Sequence, residues 1–256
     1  MRLILDVDTG IDDALALLYA CASPEAELVA VTCVAGNVPL EAVVANTLAV
    51  LELAGRADIP VHAGADGPLA KALRTTEETH GRQGIGYATL AAKGREPTSD
   101  RAAAAIVDIA RARPGDVQLV TLGPLTNLAW ALGREVALPS LLAGWTMMGG
   151  AFGVPGNTTP TSEWNVHVDP DALEDCLVHW ETGLAEGAGP MWARPVAVDV
   201  EVGPGLAHGM TVADWRGAWG REPNVDVAID ADPATFIERF VERIGGLAAA
   251  QATAPG

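Results

Sequence analysis

The chain is short of positive charge: 16 Lys and Arg face 33 Asp and Glu, for a formal net charge of −17, and Lys71 and Lys93 are its only lysines. Nucleic acids and anionic membranes are held by clustered Lys and Arg, so the balance argues against both as partners and favours a neutral small substrate. Cysteine is scarce too. Cys21, Cys33 and Cys176 are odd in number, far apart and set among apolar residues. That excludes a disulfide framework or a zinc site and predicts reduced core thiols in a cytoplasmic protein. No uninterrupted apolar run is long enough to span a bilayer. Asp6 and Asp8 break the opening apolar run too early for a signal peptide, so no export or anchoring is expected.

Apolar residues are plentiful. They make up 49% of the 256 residues, enough to bury a sizeable core, and a single domain over 1–256 is expected. Strand-like runs at 28–34, 59–62, 117–122 and 145–148 alternate with helix-like stretches at 40–54, 101–113 and 125–132. This pattern predicts an α/β fold: a doubly wound, mostly parallel open sheet with flanking helices. Loops with Gly36-Asn37, Gly64 to Gly67, Gly123-Pro124 and Gly149-Gly150 follow the strands, at the sheet edge where ligands gather. The polar, glycine-rich stretch 74–97 reads as a mobile loop near a pocket. Phe236, Ile237, Phe240, Val241 and Ile244 recur at helical spacing, which predicts a core-packing helix over 233–250 with a frayed tail at 251–256.

The densest chemistry lies where the apolar run Leu3–Val7 breaks into Asp6-Val7-Asp8-Thr9-Gly10-Ile11-Asp12-Asp13. Four carboxylates at a strand-to-helix junction repel one another unless protons or a hard cation with oxygen ligands neutralise them. Asp12 and Asp13 could simply begin a helix, since acids favour its positive end, but that leaves Asp6 and Asp8 unexplained. Strand alternation is expected to send the two to opposite faces and only one into the site: Asp8 enters it and Asp6 supports the loop. A phosphatase of the haloacid dehalogenase type would want a Gly-Thr order and a downstream lysine, and an EF-hand would want alternating ligands and a glutamate at its twelfth position. Neither fits well.

The series Asp6-x-Asp8-x-Gly10-x-Asp12-Asp13-Ala14, Gly36-Asn37, Gly123-Pro124-Leu125-Thr126-Asn127, Met148-Gly149-Gly150 and Glu163-Trp164-Asn165 before Asp169-Pro170 resembles the inosine-uridine nucleoside hydrolase family. The segment Pro195 to Asp214 looks like that family's C-terminal part. The resemblance implies hydrolysis of the N-glycosidic bond of ribonucleosides around one calcium ion, a place in purine and pyrimidine salvage, and a homo-oligomer. It makes Asp8 the general base and a calcium ligand, Asp13 a bidentate ligand, and the Leu122 carbonyl a further ligand. Asp12, Asn37, Asn157, Glu163 and Asn165 would bind the ribose hydroxyls, with Met148 lining the sugar site. The chemistry wants these types independently: a metal and a carboxylate activate water, and surrounding carboxylates stabilise a cationic ribosyl transition state. Asn127 is expected to cap or support the helix after Pro124. His80 reads equally as a pocket-loop residue or a solvated one.

The pattern departs from the family between about 180 and 195. Several dozen residues and a His-Asp-Pro motif are missing, and no histidine is followed by aspartate. In the family that aspartate completes the calcium shell and the histidine assists the leaving base. Three readings follow: an active enzyme with a reorganised site, in which Glu181 to Arg194 could serve as a substitute lid; a natural inactive homologue; or a chain shortened by deletion. The alternative function is a non-catalytic ribose- or nucleoside-binding protein.

Overall fold

The computed structural model describes residues 1–90, 94–180 and 191–253, apart from the side chains of Met191 and Trp192. In chain order, the first half contains β1 (Arg2–Val7), α1 (Ile11–Ala22), β2 (Glu27–Cys33), α2 (Leu40–Leu53), β3 (Val61–Ala63), α3 (Glu77–His80) and α4 (Ala102–Ala112). Next come β4 (Val117–Thr121), α5 (Thr126–Arg134), α6 (Leu138–Leu141), β5 (Gly144–Met147), α7 (Trp164–Val168) and α8 (Pro170–His179). The last elements are β6 (Met191–Val196), β7 (Val198–Val200), β8 (Thr211–Ala213), β9 (Val225–Ala231) and α9 (Pro233–Thr253).

The central sheet has five strands in the order β3-β2-β1-β4-β5, and every pairing is parallel. Alternation along β1 sends Ile4 to one face and Leu5 and Val7 to the other. Ile4 joins Ala30 and Leu119 under Ile106 of α4, Leu128 and Leu132 of α5 and Leu173 of α8. Leu5 and Val7 join Val31 under Leu17 of α1 and Leu48 and Leu51 of α2. Both faces are covered, as a parallel sheet requires. The strand order reverses at β1, so a crevice opens where β1 and β4 end, the usual ligand position in doubly wound sheets.

Beyond the sheet, β6 pairs antiparallel with β9, and β7 with β8. The expected break within about 180–195 falls mainly on 181–190, outside the described residues, so the proposed lid over Glu181 to Arg194 is not described beyond its last part. There, Met191 to Arg194 form the start of β6.

The C-terminal helix forms where the spacing predicts it, but it does not pack into the core. None of its residues is buried, and Phe236, Ile237 and Val241 are exposed. Both sheet faces are already covered, so α9 lies outside α1. The rings of Phe236 and Phe240 sit 5.8 and 5.9 Å from that of Tyr19. The Arg243 guanidinium lies 4.8 Å from the same ring and donates to Ser23 Oγ at 2.6 Å. The expected frayed tail is helical through Thr253, and Gln251 Nε2 donates to the Ala54 carbonyl at 3.0 Å.

These placements make opposite demands on two apolar side chains. Leu119→Ala, in the fully buried layer, should cost about 2–5 kcal/mol. Ile237→Ala, on the outer face of α9, should change stability by less than about 0.5 kcal/mol. Urea unfolding of the two variants checks both.

Candidate functional site

β1 ends at Val7, and the turn that follows turns Asp8 inward. Its side chain is 1% exposed, and Oδ2 accepts the Asn37 N–H at 2.7 Å. The fit depends on glycine: a Cβ on Gly36 would lie 2.2 Å from that oxygen, and one on Gly123 would lie 3.0 Å from the Asp8 Cβ. Asp13, in the first turn of α1, is 3% exposed and accepts the Gly10 N–H at 3.2 Å. Asp13 therefore does what a helix-starting acid does and also meets Asp8. Burial, with the Asp13 carboxylate beside it, holds Asp8 well above the ordinary carboxylate range. Burial likewise pushes Asp13 up to about 6.

Asp6 lies behind this pair and takes no part in the cavity. It accepts from Thr32 Oγ1 at 2.5 Å and Asn127 Nδ2 at 2.8 Å, and burial pushes it up to about 7. Asn127 Nδ2 also donates to the Cys33 carbonyl at 2.9 Å, and Oδ1 accepts the Ala65 N–H at 2.9 Å. Rather than capping α5, Asn127 pins the ends of β1 and β2 to the loop after β3.

A cavity of about 340 Å³ opens at the carboxyl ends of the strands. It brings together Asp8, Asp12, Asn37, Leu122, Met148, Asn157, Glu163 and Asn165, with Asp13 outside the lining. They arrive from the ends of β1, β2, β4 and β5, from the first turn of α1, and from α7 and the segment leading into it. Glu163 caps α7: Oε1 accepts the Asn165 N–H at 2.9 Å, and Oε2 accepts those of Val166 at 3.2 Å and Gly150 at 3.1 Å. Burial still raises its carboxyl despite these donors. Asn157 Oδ1 accepts the Trp164 N–H at 2.8 Å. Asn165 Nδ2 donates to the Leu122 carbonyl at 2.6 Å and to that of Met148 at 3.1 Å.

The sequence reading did not assign Thr76, Glu78, Thr79, Thr158 or Trp164, all of which line the cavity, and left His80 undecided. Four of these six residues stand in the stretch read as a mobile loop, which instead carries the short helix α3 and is tied down over 76–83. Thr76 Oγ1 donates to Asn37 Oδ1 at 3.1 Å, and the Ile11 N–H donates to His80 Nδ1 at 3.2 Å. Asn46 Nδ2 donates to the Gln83 carbonyl at 2.6 Å. A histidine inside a glycine-rich stretch was the available signal. His167 and His208 stand apart from the cavity with Lys71, whose Nζ donates to His208 Nε2 at 2.6 Å.

The donor set of Asp8, Asp13 and the Leu122 carbonyl consists of oxygen atoms, and a buried carboxylate pair is relieved by a hard cation. These residues fit calcium in kind. They supply fewer than the six to eight oxygens that calcium takes, and among the described residues no three His, Cys, Asp or Glu are grouped to hold a metal.

The family model described as inosine-uridine preferring nucleoside hydrolase matches residues 3–186. An uncharacterized protein of Schizosaccharomyces pombe is 44% identical over 309 aligned positions, covering 96% of this chain and 100% of its own. Those positions outnumber the chain's 256 residues by 53, so at least that many are filled in the relative alone. Uridine nucleosidase 1 of Arabidopsis thaliana is 37% identical over 68% of this chain and 52% of its own. The pyrimidine-specific ribonucleoside hydrolase RihA of Photobacterium profundum is 41% identical over 67% and 55%. The chain thus spans about half the length of these two relatives. Among solved structures, the purine-preferring ribonucleoside hydrolase from Gardnerella vaginalis superposes with a TM-score of 0.88 at 26% identity, over 97% of this chain and 99% of the other.

If Asn127 is the pin beneath the site, Asn127→Ala leaves a buried N–H and a buried carbonyl without partners. Each unsatisfied group costs about 1–3 kcal/mol, so a destabilisation of about 3 kcal/mol is expected in denaturant unfolding. Asn46→Ala, which frees one buried carbonyl, that of Thr9, bonded at 3.2 Å, and the part-buried Gln83 carbonyl, should cost less.

Proposed function

The chain belongs to the inosine-uridine preferring nucleoside hydrolase family, and we propose that it hydrolyses the N-glycosidic bond of ribonucleosides with Asp8 as general base, dependent on calcium and at a reduced rate. One observation carries this reading: Asp8, buried against Asp13, shares a cavity with Asn37, Asn157, Glu163 and Asn165. In this reading Asp8 is the base, and the groups across the cavity bind the sugar's hydroxyls. Among the described residues no Lys or Arg lines the cavity, which favours a nucleoside over a nucleotide, whose phosphate would want a counter-charge there.

In the proposed reaction, Asp8 removes a proton from the attacking water as that oxygen bonds to C1′ and the C1′–N bond breaks. The electron pair leaves with the base. Asp12, Asn37, Asn157, Glu163 and Asn165 orient the ribose, and the carboxylates stabilise its cationic character in the transition state. Calcium bound between Asp8, Asp13 and the Leu122 carbonyl would lower the pKa of water and fix its position. Asp13 and the Asn37 N–H hold the Asp8 carboxylate in place. The single-domain organisation, a homo-oligomeric state, a role in nucleoside salvage and a cytoplasmic location belong to the same proposal; the free cysteines support the last.

The reduced rate follows from the absent His-Asp sequence. Without that histidine the departing base takes its proton from solvent, and a missing general acid costs on the order of a hundredfold or more. That same absence supports the second reading, a ribose- or nucleoside-binding homologue without turnover.

A reducing-sugar assay over a nucleoside panel, with calcium and with a chelator, separates the two. Slow, calcium-dependent hydrolysis of inosine and uridine is expected, with faster turnover of p-nitrophenyl riboside, whose leaving group needs no proton. Nucleoside binding with no turnover on any member would favour the binder. Efficient inosine hydrolysis would show that another acid has replaced the histidine. Asp8→Asn should abolish turnover; if it keeps wild-type turnover, Asp8 is not the base.

A further inference from the structure

Two hydrogen bonds one helical turn apart fasten the corner between α7 and α8 to the turn between β4 and α5. The first is Asn165 Nδ2 to the Leu122 carbonyl at 2.6 Å. The second runs the opposite way, from Thr126 Oγ1 to Asp169 Oδ2 at 2.6 Å. The spacing is four residues on each side, 165 to 169 and 122 to 126, so the contacts form two rungs between the same pair of segments. The Asp169 N–H closes the ladder by donating to the Asn165 carbonyl at 3.3 Å.

The lower rung is the better protected. Thr126 and Asp169 are each 1% exposed, and Asp169 also accepts the Leu69 N–H at 3.1 Å and the Ala172 N–H at 3.2 Å. Its carboxylate therefore gathers donors from three segments. Asn165, by contrast, lines the cavity, and its Nδ2 is shared between the Leu122 carbonyl at 2.6 Å and the Met148 carbonyl at 3.1 Å. Both acceptors take the same Nδ2, so the amide's orientation depends on how the α7 backbone is held, and the fixed rung one turn below holds it against the Leu122 segment.

We propose that Asp169 and Thr126 are positioning residues: their buried rung fixes the Asn165 amide against the Leu122 carbonyl and so presets the cavity for its ligand. The proposal deepens the nucleoside reading and rests on it for the identity of that ligand, whereas the ladder itself does not depend on it.

The test uses Thr126→Val, which removes the hydroxyl but keeps the shape, Thr126→Ser, which restores the hydroxyl, and Asp169→Asn as an independent disruption of the same rung. The first readout needs no ligand. The Asn165 side-chain amide signals, assigned in ¹H–¹⁵N spectra by their loss in Asn165→Ala, should move in Thr126→Val and in Asp169→Asn and return in Thr126→Ser. The second is calorimetric binding of inosine in calcium, expected to weaken about tenfold in Thr126→Val and to stay within about twofold of wild type in Thr126→Ser. Amide signals unmoved by Thr126→Val overturn the proposal whatever the binding result. So does inosine affinity equal in Thr126→Val and wild type, or lost equally in Thr126→Ser. Wild-type protein that binds neither inosine nor uridine, while the variants' amide signals move as expected, refutes the nucleoside reading and supports the ladder.

Discussion

Two carboxylates, Asp8 and Asp13, meet in the interior where β1 gives way to α1, and the surroundings are arranged to hold them there. Burying like charges side by side is unfavourable unless they are neutralised. The local structure nevertheless brings them close: Gly36 and Gly123 leave no Cβ in the way, the Asn37 N–H faces Asp8, and the Gly10 N–H faces Asp13. Beneath them, Asp6, Thr32 and Asn127 lock the ends of β1 and β2 to the loop after β3. A pair kept together against its own repulsion is a sound reason to expect a cation at this turn.

The sheet positions everything else. Because β1 lies between β2 and β4 at the point where the strand order reverses, their ends bring Asp8, Asn37 and Leu122 to one crevice, and β5 adds Met148. Asp8 and Leu122, more than a hundred positions apart, converge because β1 and β4 are neighbours. Asn165 completes the arrangement from outside the sheet by reaching across to the Leu122 carbonyl.

Much of this was legible in the sequence, because strands alternating with helices and glycine loops after strands follow from short-range rules. The residues marked by linked motifs, from Asp8 to Asn165, do come together. The different fates of Asp6 and Asp8 are not a matter of strand alternation, which would place positions 6 and 8 on one face. They arise because the strand stops at Val7 and the turn carries Asp8 away. α9 was misjudged because periodicity shows an apolar stripe without showing whether any core remains for it to enter. The cavity wall at Thr76 to His80 was hidden because its order comes from distant partners, Asn37 and Ile11, rather than from its own polar sequence.

The central claim is that the Asp8–Asp13 turn is built to hold a divalent cation. Calorimetric titration of the protein with calcium at neutral pH, alongside Asp13→Ala, tests it most directly. The account predicts one saturable site in the wild type, weaker than a full oxygen shell would give, and none in the variant. Absence of binding in the wild type, or binding untouched by Asp13→Ala, would contradict it.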